Sequence, residues 1–277
     1  MKKIALWILV MILGIWSSWW YELTTGDNQN LTSLKQTLVS SPDKDLWSYY
    51  QQFSKFQEVL GGVDGRFDYL FTNLRDYAYT QFSNRKSLAK QTSKEAKKDF
   101  YSQYQENLLL HDELSENCIG WYNSIDNWSY AYNFPTALTI AVWWRESSCG
   151  YYLPKNGDGP FQIVSKDYGT GEITKEIFYQ AIEDFLLFAR NKIDWYNRNN
   201  DEDKQITLSY TGATYQDLIK FAALYNWLDN GTVVGDVMPK SLKYFFEGYQ
   251  SDLWTGDHKK NGIFAQYLKV LDWETTL

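Results

Sequence analysis

Arg145-Glu146-Ser147-Ser148-Cys149, followed by Gly157-Asp158-Gly159-Pro160-Phe161-Gln162-Ile163, is the stretch that decides how this chain is read. Just before it, Asn133-Phe134-Pro135 places a non-helical residue and then a proline in the first turn, which predicts a helix from about Pro135 to Ser148. Leu138, Ala141, Val142, Arg145 and Glu146 share one stripe of that helix, so Glu146 continues the face that packs inward. Burial disfavours a charged carboxylate and keeps its proton in place near neutral pH. Asn156 to Ser165 reads as a turn around Asp158 with a short strand after it, because Phe161, Ile163 and Val164 favour β structure. A protonated carboxyl beside a glycine turn that lets backbone approach a ligand suits acid catalysis at a glycosidic oxygen.

Outward from this stretch the chain is helical. On the C-terminal side, one helix is predicted from about Thr174 to Tyr196, with Ile177, Ala181, Phe185 and Phe188 inward and Thr174 as its cap. A second runs from about Tyr215 to Leu228, capped by Thr214 with Asp217 three residues on. Two more are expected near Ser241 to Tyr249 and Gly262 to Leu271. On the N-terminal side, Leu46, Tyr49, Tyr50, Phe53, Phe56 and Leu60 follow helical spacing up to Gly61-Gly62. Phe67, Leu70, Phe71, Leu74, Tyr77 and Ala78 repeat that pattern, and a long Lys/Glu/Gln-rich helix follows from Ser87 towards Leu110.

Composition narrows the function classes. The net charge is −7, which leaves no basic footprint for nucleic acid, and lysines such as Lys94 to Lys98 read as a solvated helix face. Thirteen tryptophans and 22 tyrosines exceed what a core needs, and such rings serve sugar stacking, membrane interfaces and packing alike. Ile4 to Trp20 is an apolar run behind Lys2 and Lys3, the pattern of an export signal or a membrane anchor. It lacks a small-x-small cleavage site and ends in Trp19-Trp20-Tyr21, which favours an uncleaved anchor with the remainder outside. Cys118 and Cys149 are the only cysteines, and in an oxidising compartment a lone pair is expected as a disulfide. The alternative is a cysteine nucleophile working with His111 or His258. Two histidines and no Cys-x-x-Cys leave no zinc site to propose, and acid catalysis on a glycoside calls for no cofactor.

Three blocks in order carry a resemblance: Pro135 to Val142 leading into Glu146-Ser147-Ser148, then Gly159-Pro160-Phe161-Gln162-Ile163, then Ala222-Ala223-Leu224-Tyr225-Asn226. Together they resemble the soluble lytic transglycosylase domain of the lysozyme-like superfamily, over about Cys118 to Asn230. The resemblance implies a mainly helical lysozyme-like fold that cleaves the β-1,4 bond between N-acetylmuramic acid and N-acetylglucosamine, with peptidoglycan strands as partner. It implies Glu146 as the catalytic acid, Ser147 and Ser148 as residues that hold the helix end, and Gln162, Tyr225 and Asn226 as substrate contacts. Phe161 stands where the family usually has methionine, and the glycine expected soon after Tyr-Asn comes late, at Gly231. Asp158, opposite Glu146, either shapes the turn or activates water as a second catalytic carboxylate, as in goose-type lysozymes.

The expected architecture is mainly α, a lysozyme-like helical domain with a small β-turn and strand element. Residues 1–21 are the signal or anchor, with 4–21 in contact with the membrane, 22–42 a polar tether, 43–116 a helical hairpin or bundle, and 117–277 the catalytic domain. The expected product is an envelope enzyme, exported and anchored or secreted. Against it stand a hydrolase using Glu146 with Asp158, and a surface glycan-binding or scaffold protein without turnover.

Overall fold

Helical periodicity in the sequence becomes helix almost throughout a computed structural model that describes residues 28–60, 65–105, 114–150, 152–153, 155–163, 166–227 and 263–277. The described residues are mainly α, with one two-stranded antiparallel element among them. The apolar run at residues 4–21, the expected helix from Ser241 to Tyr249, Gly231 and both histidines lie outside the described residues. No helix among the described residues is long and apolar enough to cross a membrane.

The chain divides into two compact units that part between Phe82 and Ser83. The first contains α1 (Asn28–Ser40), α2 (Asp43–Leu60) and the opening turns of α3 (Gly65–Tyr104). Part of the expected tether is therefore helix. In α1 the Thr37 hydroxyl donates back to the Ser33 carbonyl at 3.2 Å, and Leu38 is buried. Across α2 and α3 the aromatic stripes meet as core: Trp47 stacks on Phe82 at 4.9 Å and Phe56 on Phe71 at 5.5 Å. The Gln57 amide ties the pair further, donating to Asp68 at 3.1 Å and to Thr72 at 2.9 Å.

The second unit opens inside α3, at Ser83. Side chains on the later turns of α3 explain why the division falls there. Lys86 pairs with buried Asp126 at 3.0 Å, and Lys97 pairs with buried Glu274 at 2.9 Å. Lys97 thus departs from the expected solvated face, whereas Lys94 and Lys98 are exposed. Phe100 adds edge-on contacts to Phe264 and Tyr267. The two helices expected between Gly65 and Leu110 are one continuous element, since no Gly or Pro interrupts the chain between Arg66 and Tyr104.

Within this unit α4 (Glu116–Gly120) and α5 (Tyr122–Ala131) lead into α6 (Thr136–Ser147), whose residues Thr136 to Trp143 are all buried. A helix covered on every side is the centre of a core. The last helix, α9 (Ile263–Thr276), packs along it, and α5 flanks both α6 and α7 (Lys175–Arg198). Thr174 caps α7 by accepting the Ile177 N–H at 3.3 Å. The buried stripe of α7 includes Phe178, Ala181, Ile182 and Phe185, while Ile177 and Phe188 are half-buried.

α8 (Tyr215–Trp227) packs on α7, and its start is held by Thr214 and buried Asp217. The Asp217 N–H donates to the Thr214 hydroxyl at 3.1 Å, and that hydroxyl donates to the Asp217 carboxylate at 2.6 Å. Strand β1 (Tyr152–Leu153) pairs with β2 (Gly171–Glu172), so the two strands flank the glycine turn, and Phe161 to Ile163, expected as strand, belong to the turn itself. Phe161 and Ile163 are buried in the turn instead, because Phe161 stacks flat on Phe185 of α7 at 4.7 Å. Val164 and Ser165 lie outside the described residues.

Candidate active site

The carboxyl-terminal end of α6 carries the site. Ser148 closes the helix in the left-handed region at φ 55°, its N–H donating to the Trp144 carbonyl at 2.6 Å. Cys149 follows at φ 52°, and two successive non-glycine residues in that region need outside support. The support is covalent: Cys149 is disulfide-bonded to Cys118 of α4. The bond also removes the reading in which either cysteine is a nucleophile beside a histidine. Ser147 gives a second restraint, donating to the Pro160 carbonyl at 2.9 Å and back to the Trp143 carbonyl at 3.2 Å. Ser147 thus joins the helix end to the glycine turn, whereas Ser148 is exposed.

Glu146 comes just before these two anchors and is half-buried. Burial pushes its carboxyl above the usual range, and the Arg145 guanidinium partly opposes the shift. The carbonyl end of α6 acts in the same direction as burial, since a helix C-terminus disfavours negative charge. Arg145 itself is exposed, so the inward stripe of α6 ends before it and is taken up again only by Glu146.

The turn facing this end is shaped by two glycines and an asparagine. Gly157 and Gly159 have φ of 82° and 74°, conformations that favour glycine. The Asp158 N–H donates to Asn156 Oδ1 at 3.2 Å, and the Asp158 carbonyl accepts the Ile163 N–H at 2.9 Å. The Asp158 backbone thus helps shape the turn, and the Arg145 guanidinium supplies the charge that opposes the shift of Glu146. Gln162 is left-handed at φ 51°, with its carboxamide turned back on the loop. Its Nε2 donates to the Gly159 carbonyl at 2.9 Å, and its Oε1 accepts from Asn156 Nδ2 at 2.6 Å. Gln162 is thus drawn into the turn.

Tyr225 reaches the same place from α8, with Asn226 next on that helix. The Tyr225 hydroxyl donates to the Phe161 carbonyl at 2.6 Å while its ring meets Phe185 and Phe188 edge-on. Burial first, then the charges of Glu146 and Tyr168, push the hydroxyl well above its ordinary range. Tyr225 is accordingly a neutral hydrogen-bond donor beside Glu146. Three of the expected residues, Glu146, Ser147 and Tyr225, converge on one joint between α6, α8 and the turn.

Sequence reasoning passed over Asn156, Tyr168 and Asp184. Asn156 had a readable signal, an Asn two residues before the Asp of a glycine turn, which favours a side chain that mimics backbone. Tyr168 had none, since its hydroxyl donates to Asp184 of α7 at 2.9 Å across 16 residues.

No protein-family model, no curated protein and no solved structure matches this chain.

Proposed function

We propose that the chain is a peptidoglycan lytic transglycosylase that cuts the β-1,4 bond between N-acetylmuramic acid and N-acetylglucosamine. The observation that carries the reading is the Glu146 carboxyl, partly desolvated and biased towards its protonated form at a joint fastened by Ser147, Tyr225 and the disulfide. Glu146 donates its proton to the bridging oxygen as the bond from that oxygen to C1 breaks. The substrate's own N-acetyl group supports the positive charge that develops at C1. The Glu146 carboxylate then takes the proton of the muramic acid 6-hydroxyl, whose oxygen bonds to C1. The product is a 1,6-anhydro sugar, Glu146 ends protonated, and no water is consumed.

A single carboxyl performs both transfers in this reading, and Asp158 shapes the turn through its backbone. The disulfide favours an oxidising compartment, so an exported, membrane-anchored or secreted protein is part of the same proposal, with residues 4–21 as anchor or signal. Digestion of purified sacculi followed by mass spectrometry of the released fragments tests it. Anhydro ends, lighter by one water than reducing ends, are expected, and they disappear in Glu146→Gln. Reducing ends alone would replace the transglycosylase with a hydrolase. Sacculi that bind the chain and release nothing would leave a glycan-binding protein.

A further inference from the structure

The turn beside Glu146 is held at three points. Ser147 of α6 takes the Pro160 carbonyl, Tyr225 of α8 takes the Phe161 carbonyl, and the Tyr168 N–H takes the Gly157 carbonyl at 2.9 Å. The third hold is also a packing contact, because the Tyr168 ring lies directly against Gly159, where a Cβ would fall 2.2 Å from its Cδ2. Tyr168 is in turn fixed by α7. Its hydroxyl donates to Asp184 Oδ2 at 2.9 Å, and Asp184 Oδ1 is paired with Lys166 at 2.7 Å.

We propose that Tyr168 and Asp184 form a positioning pair that locks the Gly157 to Ile163 turn over Tyr225 and so sets the surroundings of the Glu146 carboxyl. The pair touches neither substrate nor reacting atoms. It acts because Tyr225 is bound to the turn and lies within electrostatic reach of both Tyr168 and Glu146. If the turn loosens, the Phe161 carbonyl leaves the Tyr225 hydroxyl, water enters, and the carboxyl loses the desolvation that favours its proton. The charged and titratable groups facing these residues are Arg145 and Tyr225 around Glu146, and Lys166 around Asp184. Lys166 is bound to Asp184 through the opposite carboxylate oxygen, so Asp184 can keep its hold on Tyr168 whether or not that ion pair persists.

This inference rests on Glu146 being the acid, and its test separates the two. In Tyr168→Phe the ring stays on Gly159 and only the hydroxyl is lost. Two readouts are compared with the parent chain: the titration of the Glu146 carboxyl by carbon NMR, and amide exchange at Ile163 and Tyr168. The expected result is a Glu146 titration moved down towards the ordinary carboxylate range, with exchange at both amides faster by about tenfold. Asp184→Asn keeps an oxygen for the tyrosine and stays closer to the parent than Asp184→Leu does. An unchanged Glu146 titration in Tyr168→Phe overturns the pair, whatever the activity. Where the parent releases anhydro fragments, kcat in Tyr168→Phe is expected to fall about tenfold with KM unchanged. An unchanged kcat would equally overturn the pair. A parent that releases nothing removes the proposed reaction and leaves the titration test of the pair intact.

Discussion

The Tyr225 hydroxyl is bonded to the Phe161 carbonyl at 2.6 Å, across 64 residues of chain, which ties α8 to the glycine turn. Tyr225→Phe leaves that carbonyl without its donor. A loss of about 1–2 kcal/mol in stability is expected from an unpaired acceptor of this kind. Urea unfolding measures it, and release of fragments from sacculi is expected to fall by about tenfold or more as Glu146 loses its neighbour.

Glu146→Gln abolishes cleavage and shows in stability with a definite sign. Folding raises the carboxyl's affinity for its proton, so the native state is favoured most at pH below the ordinary glutamate range. That advantage is lost as pH rises through the raised folded value. The uncharged amide does not titrate, so the melting midpoint of Glu146→Gln relative to the parent climbs with pH through this window and then levels off. Parent cleavage declines on the alkaline side of the same window.

The Cys118–Cys149 bond closes a loop of 31 residues that contains α5 and α6. Chain entropy alone makes it worth about 3–4 kcal/mol. Melting with and without a reductant is expected to show that loss, with activity falling before global unfolding because the end of α6 is released. A Cys118→Ser and Cys149→Ser double variant that melts like the oxidised parent would contradict this.

Lys97 and Glu274 are both largely buried, with side-chain exposures of 11% and 4%. Removing one partner leaves a charge without compensation, and Lys97→Met is expected to cost about 3–5 kcal/mol. Glu274 also accepts from Tyr122 at 2.8 Å, so Glu274→Leu alone is comparably damaging. The double variant Lys97→Met with Glu274→Leu is expected to recover a large part of the loss. A chemical-denaturation double-mutant cycle reads the coupling.

Gly159→Ala and Gly169→Ala isolate the packing in the turn. Both glycines have positive φ, 74° and 73°, but only at Gly159 would a Cβ strike the Tyr168 ring, the space at Gly169 being open. Gly169→Ala should lose about 1 kcal/mol for conformation alone, and Gly159→Ala about 2–4 kcal/mol because Tyr168 must move as well. Equal losses in thermal melts would mean that the ring contact adds nothing.

Local features of the fold were legible where one chemical signal acts over a few residues. Thr174 and Thr214 mark the starts of α7 and α8, and the spacing of Leu138, Ala141 and Val142 marks a buried face of α6. Where a local signal competes with a distant partner, the local pattern misleads. Phe161 and Ile163 favour strands in isolation, but Phe185 draws Phe161 into a buried turn. Lys97 looks solvated on a lysine-rich helix until Glu274, 177 residues later, arrives beside it.

The site divides in the same way. By itself the sequence determined that the chain is mainly helical and that an acid ends a buried helix, and it favoured a pairing of the two cysteines that the structure then decided. These follow from periodicity, from capping chemistry and from the arithmetic of two thiols. Only the tertiary structure decided that Tyr225 holds Phe161, that Ser147 holds Pro160, that Gln162 turns back on Asn156, and that Tyr168 is fixed by Asp184. The reason is physical. Periodicity reports which face of an element seeks burial, but the partner a polar group finds there depends on how distant elements pack, and no local pattern encodes that pairing.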